Sequence, residues 1–286
     1  MENDRHDAVS SQPLPATLPT SARLPVNRCN LPAVILGSLT YQQHPVPLEL
    51  DGIRDFHASL FKVLDALTDR EERAQRFMDY MTVRFLLEEP EEAGLMPGGK
   101  RHKSRVNANY VRMVRGWSFN SDGREGAVLK RWVESRFGLK ARYHAGSLLD
   151  TNGEPYQRYL AEGSRGLYGT NALEAQLDLL YTYCQYELAR ERPDDNHTQL
   201  FRGVNRIDEH EILESRGSGR HRVLFNNLNS FTSSRERADE FGDYILVAKV
   251  PLPKIFFYNR LLPGMLGGED EFVVIGGVYE VGIRAD

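Results

Sequence analysis

The stretch Leu266-Gly267-Gly268-Glu269-Asp270-Glu271-Phe272-Val273-Val274-Ile275 decides how the rest of the chain is read. Two glycines lead into glutamates at i and i+2, and an apolar, β-branched run follows. Successive side chains on a strand point to opposite faces. On an extended backbone Glu269 and Glu271 therefore share one face, with Asp270 and Phe272 on the other. Two carboxylates side by side at the end of a buried strand repel, so the pair needs a cation or a chemical use. In isolation the same letters also describe a solvated acidic turn.

Around this stretch the pattern is one of short strands. Gln199–Val204, Val223–Leu228, Tyr244–Val250, Ile255–Tyr258 and Val278–Ile283 carry β-branched and aromatic runs punctuated by glycine, proline and serine. A short helix is expected over Ile207–Leu213. Another is expected over Arg235–Phe241, with Ser234 suited to cap it. The loop Asn259–Gly268 delivers the two glutamates. Upstream of the charged, Pro193-containing segment Arg190–Asp195 the period is helical. Apolar residues recur at i, i+3, i+4 from Ile53 to Leu67, and further segments run over Phe77–Phe85, Tyr110–Val114 and Ala127–Val133, the last closed by Gly138. Residues 139–169 read as loop-rich. Asn171 with Glu174 resembles a capping box ahead of the stripe Leu173, Leu177, Leu180, Tyr181, Cys184 and Leu188, on which Cys184 is a core thiol. Ala33–Leu36 suits a strand or a packed arm. The expected fold class is α+β, with a disordered tail over 1–26, a mainly helical region over 27–195 and a β core over 196–286.

Composition narrows the function classes. A hydrophobic share of 41 % and a charged share of 27 % fit an ordinary folded protein. A net charge of -4 offers no basic surface for nucleic acid or anionic membrane. Two cysteines, Cys29 and Cys184, make neither a disulfide framework nor a zinc-binding CxxC pair. The histidines lack HxxxH spacing, and no metal is expected. No apolar run reaches the roughly 18–20 residues of a membrane span, and the N-terminus lacks the order of a signal peptide, so a cytoplasmic location is expected. The basic run Lys100–Arg105 reads as a solvated loop or as a docking surface for an acidic partner.

Three signals stand in one order within the strand region: Phe201-Arg202-Gly203, then Ser230-Phe231-Thr232-Ser233-Ser234, then Glu269-Asp270-Glu271. Arginine offers a planar fork of donors that matches a diphosphate. A serine hydroxyl can hold a carboxylate or a ribose in place. A carboxylate beside an anomeric carbon stabilises an oxocarbenium-like transition state. The parts suit cleavage of a C1′–N glycosidic bond in a pyrophosphate-bearing nucleotide.

This order resembles the Arg-Ser-Glu signature of mono-ADP-ribosyltransferases. The resemblance implies a split β-sheet core in the C-terminal part and NAD+ as co-substrate. It implies Arg202 and Gly203 at the NAD phosphate and ribose, Glu271 as the catalytic carboxylate, and Glu269 facing an arginine acceptor. Ser233 is preferred as the motif serine by its spacing from Phe231, with Ser230 and Ser234 as alternatives. Tyr258, Asn259, Arg260 and Gly268 match the acceptor loop in position, and Phe241 or Tyr244 would supply a stacking aromatic. Longer blocks, among them Cys29-Asn30-Leu31-Pro32, Arg115-Gly116-Trp117-Ser118-Phe119, Ser121–Lys130, Thr170–Leu180 and Asn226–Ser233, are similar to the NAD–dinitrogenase-reductase ADP-ribosyltransferases of nitrogen-fixing bacteria. That family resemblance covers residues 27–286. It implies reversible inactivation of nitrogen fixation by modification of an arginine of the nitrogenase iron protein, with a PII signalling protein as activator. The helical region would then be scaffold and partner surface. The rival readings are an NAD-binding module without transfer, a glycoside hydrolase using Glu269 and Glu271, and an arginine-specific transferase acting on another protein.

Overall fold

The computed structural model describes residues 18–87, 108–167, 171–205, 210–217, 219–264 and 270–285. Lys100–Arg105, Gly268 and Glu269 lie outside them. The helical part comprises α1 (Ala33–Leu36), α2 (Leu39–Gln43), α3 (Ile53–Phe56), α4 (Ala58–Asp65), α5 (Arg70–Phe85), α6 (Tyr110–Phe119), α7 (Arg124–Phe137), α8 (Glu154–Gly166) and α9 (Ala172–Glu191). The strand part comprises β1 (His197–Val204), β2 (Glu211–Ser215), β3 (Arg220–Thr232), α10 (Arg235–Asp239), β4 (Tyr244–Pro251), β5 (Ile255–Tyr258) and β6 (Glu271–Ala285). The fold is α+β, a helical N-terminal part against an antiparallel C-terminal sheet.

Local chemistry sets the helix ends. Asp69 accepts from the Glu72 amide at 2.8 Å to start α5, and Asn109 accepts from the Val111 amide at 2.8 Å to start α6. Gly138, at φ 69°, ends α7 in the left-handed conformation that glycine adopts without a Cβ clash. The longest helix, α9, is buried on nearly every side, with Tyr183, Tyr186 and Glu187 enclosed as well as the leucine stripe. Its buried charges are paired. Arg73 of α5 grips Glu187 through two bonds of 2.8 and 2.7 Å. Arg136 of α7 grips Asp178 through bonds of 2.7 and 2.8 Å, and the Trp132 indole donates to the same carboxylate at 2.7 Å. Such forked pairs satisfy charges that would otherwise be costly to bury. Phe77 and Tyr183 stack at 4.0 Å between α5 and α9.

The sheet runs β2-β3-β1-β4-β6-β5, and β3 also pairs with β6. The long β6 carries β3 along one side, while β4 and β5 share the other. β1 pairs along its whole length with β4 but meets β3 at Phe201↔Thr232. That meeting sets Arg202 beside the end of β3. The β3–β6 register shifts between Phe225 and Leu228. Opposite the shift, a Cβ on Gly276 would lie 1.7 Å from the Asn226 carbonyl, so only glycine fits. The bulge turns two asparagines toward the helical part. Asn226 accepts from the Arg142 amide, and Asn227 donates to the carbonyls of Lys130 and Leu139. One apolar cluster runs from Leu18 through α5, α7 and α9 to Val281, so the two parts share a core.

Several local expectations are corrected. Residues 18–26 are not a tail: Leu18 and Ala22 are buried, and Leu24 donates to the Gly138 carbonyl. Their apolar side chains close the end of α7, which the Ser/Pro-rich composition hides. Ala33–Leu36 is a helical turn that begins right after Pro32. Helix α8 occupies part of the region read as loop-rich; Pro155 sits in its first turn, where proline fits a helix. The segment expected as a helix over Ile207–Leu213 contributes β2, because Glu211–Ser215 pairs with His221–Leu224. Asn171 makes no side-chain cap bond. Ser234 does cap α10, accepting from the Arg237 amide at 3.1 Å.

Candidate active site

Glu271 is the first residue of β6, directly opposite Thr232 of β3. Ser230 lies diagonally from it on the same face, within reach of a long side chain. Ser230 Oγ donates to Glu271 Oε1 at 2.6 Å. The direction of that bond is fixed, because the Trp117 indole N–H, which can only donate, reaches Ser230 Oγ at 2.9 Å. Ser118 Oγ donates to the other carboxylate oxygen, Glu271 Oε2, at 2.6 Å. Arg202 of β1 closes the group, donating from Nη1 to the Ser230 carbonyl at 2.7 Å.

Arg202, Ser230 and Glu271 are thus brought together. Ser233 is placed differently: its amide donates to the Asp270 carbonyl at 3.4 Å and its side chain is exposed. Asp270 has φ +47°, so the extended backbone of β6 begins at Glu271. Gly203 packs under α10, where a Cβ would come within 1.8 Å of the Ala238 carbonyl. In the expected acceptor loop, Tyr258 is buried and stacks on Phe272 at 5.7 Å, with its hydroxyl toward Glu191. Arg260 is exposed and bonds Asp270 at 2.7 Å. Asn259 is half-buried. Phe241 is exposed and Tyr244 half-buried.

The surroundings are cationic and tightly held. Lys130 of α7 is buried, 5.8 Å from the Trp117 ring centre, and bonds Asp122 at 2.8 Å. Burial pushes the Lys130 pKa down, against the pull of Asp122. Behind it stands the fully buried His144. An ammonium can only donate, so His144 Nδ1 accepts from Lys130 at 3.3 Å, leaving the proton on Nε2 to donate to Glu162 at 2.9 Å. Burial lowers the His144 pKa, more than Glu162 raises it, in keeping with a neutral ring. His210, edge-on to Phe225 of β3, is held neutral, its pKa pushed down to about 3 by burial and by the Arg202 charge.

A cavity of about 1270 Å³ lies between residues 27–55, α9 and Leu252–Pro253, and Glu271 does not line it. Two of the charged residues that line it, Arg136 and Asp178, are held in a structural ion pair of 2.7 Å. Among the described residues no group of three or more His, Cys, Asp or Glu is placed to hold a metal ion, and no helix is long and apolar enough to cross a membrane.

A sequence model of the family described as dinitrogenase reductase ADP-ribosyltransferase matches residues 26–283. The chain belongs to this family. A relative from Rhodospirillum rubrum, named NAD(+)–dinitrogen-reductase ADP-D-ribosyltransferase, is 38 % identical over 257 residues, covering 89 % of this chain and 93 % of its own. No solved structure matches the chain. Within the family frame, Trp117, Ser118 and Lys130 are the residues that sequence reasoning left without a role. They fall in blocks that carried the resemblance, but nothing in the helical pattern of α6 and α7 marks them as neighbours of a strand more than 100 residues away.

Proposed function

We propose that the chain transfers ADP-ribose from NAD+ to an arginine of dinitrogenase reductase, the nitrogenase iron protein, and so reversibly silences nitrogen fixation. The observation that carries this reading is the Arg202–Ser230–Glu271 group in a member of that family. The group also fits the dinucleotide electrostatically. NAD+ joins an anionic diphosphate to a cationic nicotinamide riboside, and the site sets a guanidinium on β1 and a carboxylate on β6, the two strands that flank the end of β3.

Arg202 binds the diphosphate, and Glu271, aimed by Ser230, faces the nicotinamide ribose. As the C1′–N bond breaks, its electron pair leaves with neutral nicotinamide, and the positive charge passes to the ribose C1′–O4′ unit. Glu271 stabilises that charge where it develops. The acceptor guanidinium then attacks C1′ and loses one proton. Guanidinium is protonated at neutral pH, so a base is needed, and Glu269 takes that role. Ser230 is the motif serine in this reading. A PII signalling protein acts as activator.

Incubation with labelled NAD+ and purified dinitrogenase reductase, followed by mass mapping, tests the reading. Label on an arginine, lost in Glu271→Gln, is expected. Label on another residue type overturns the arginine assignment. NAD+ binding without any labelling, with and without PII protein, favours a binding module.

A further inference from the structure

The two oxygens of Glu271 are held in different ways. Oε1 receives the Ser230 proton, which has nowhere else to go while Trp117 donates into the same hydroxyl. Trp117 is itself fixed, 3 % exposed beneath Lys130. Oε2 receives the Ser118 proton at 2.6 Å, but Ser118 has a second acceptor within reach, the Val114 carbonyl one turn back in α6 at 3.4 Å. One hydroxyl carries one proton, so it serves one acceptor at a time. Back-bonding of serine to the i−4 carbonyl is an ordinary helical alternative. Ser118 can therefore release Glu271 without leaving a polar group unsatisfied, whereas Ser230 cannot.

Resting on the reading above, we propose that Ser118 is a positioning residue that holds Glu271 Oε2 in the free protein and yields it to a ribose hydroxyl of NAD+, so that α6 competes with the dinucleotide for the carboxylate. Ser230 keeps Oε1 throughout and fixes the carboxylate plane. The end of α6 is braced for this role. A Cβ at Gly116 would lie 2.5 Å from the Glu125 side chain, so α6 and α7 sit in close contact just behind Ser118. A shift of α6 against α7 therefore alters how firmly Glu271 is held, and α6 links the helical part to NAD+ affinity.

The test is titration calorimetry with carba-NAD, a non-cleavable NAD analogue, on the wild type, Ser118→Ala and Ser118→Thr, with steady-state nicotinamide release measured alongside. Removing a hydroxyl–carboxylate bond made in the free protein alone should tighten binding by about three- to tenfold. Ser118→Ala is expected to bind the analogue more tightly and to show a lower KM for NAD+ with kcat little changed. Ser118→Thr, which keeps the hydroxyl, should resemble the wild type. Unchanged or weaker binding by Ser118→Ala, or a fall in kcat at constant KM, overturns the proposal. Failure of the wild type to bind the analogue at all, with the Ser118 variants equally silent, would instead overturn the functional reading on which it rests.

Discussion

The strand part and the helical part contribute to Glu271 in contrasting ways. Arg202, Ser230 and Glu271 sit on three neighbouring strands, and pairing brings them together within 70 residues of sequence. Trp117, Ser118 and Lys130 come from two helices, α6 and α7, far from those strands in sequence. Yet the helical residues fix the direction of the Ser230 proton and occupy the second oxygen of Glu271. In the proposed reading the strands carry the reacting groups, and the helices hold Ser230 and Glu271 in their orientation. A fragment ending near residue 195 would lack the reacting groups, and one beginning there would have them without orientation.

The largest expected effect lies on the strand side. Glu271→Gln keeps the side-chain shape and removes the charge, so nicotinamide release should fall by at least about 10³-fold, ~4 kcal/mol of transition-state stabilisation. Thermal stability should change little. Loss of both together would make Glu271 a structural residue and erase the contrast.

The matching lesion on the helical side is Asp178→Ala. It strands the buried Arg136 guanidinium and the Trp132 indole. Removing one partner of a buried pair costs 3 kcal/mol or more as a rule, and about 3 is expected here because Glu174 stands 3.5 Å from the same guanidinium. Urea unfolding measures it. A stability loss under about 1 kcal/mol would mean that the pair behaves as a surface contact.

The junction of the two parts is tested through pH. Lys254, just before β5, is fully buried, donates to the Gly276 carbonyl and lies between the rings of Tyr41 from α2 and Tyr279 from β6. Burial pushes its pKa down to about 7 from an ordinary 10.5. Between those values the unfolded chain holds a proton that the folded chain does not, so stability rises with pH across that window. From pH 7 to 9 this one group should contribute about 2 kcal/mol of that rise. Lys254→Met should flatten that part of the urea-midpoint profile. An unaltered profile would mean that Lys254 reaches water in the folded state.

How much of this was legible depends on how local the signal is. The strands other than β2, the cap at Ser234 and the Gly138 helix end are properties of a few adjacent letters, and each can be read from them; the Arg-Ser-Glu order adds three such short motifs in sequence. Choosing among Ser230, Ser233 and Ser234 requires the β3–β6 register, which puts Ser230 diagonal to Glu271. The left-handed backbone at Asp270, just ahead of β6, does not show in the letters of Glu-x-Glu. Ser118 looks like an unremarkable polar residue at the end of a helix. Its role exists because the bulge opposite Gly276 and the Asn227 anchors bring α7, and α6 with it, onto β3. Burial of Leu18 and Ala22 in a proline-rich lead-in is likewise a tertiary effect.

The central claim is that the helical part orients the strand-borne Ser230–Glu271 pair through Trp117, and a double-mutant cycle on nicotinamide release tests it most directly. Trp117→Phe keeps an aromatic ring, though a smaller one, and deletes the N–H, for an expected loss of about fivefold in kcat, near 1 kcal/mol. In a Ser230→Ala background the indole has no hydroxyl to orient, and the same substitution should have almost no further effect. Equal losses in both backgrounds would show that Trp117 acts independently of Ser230, and the claim that the helices aim Glu271 would fall.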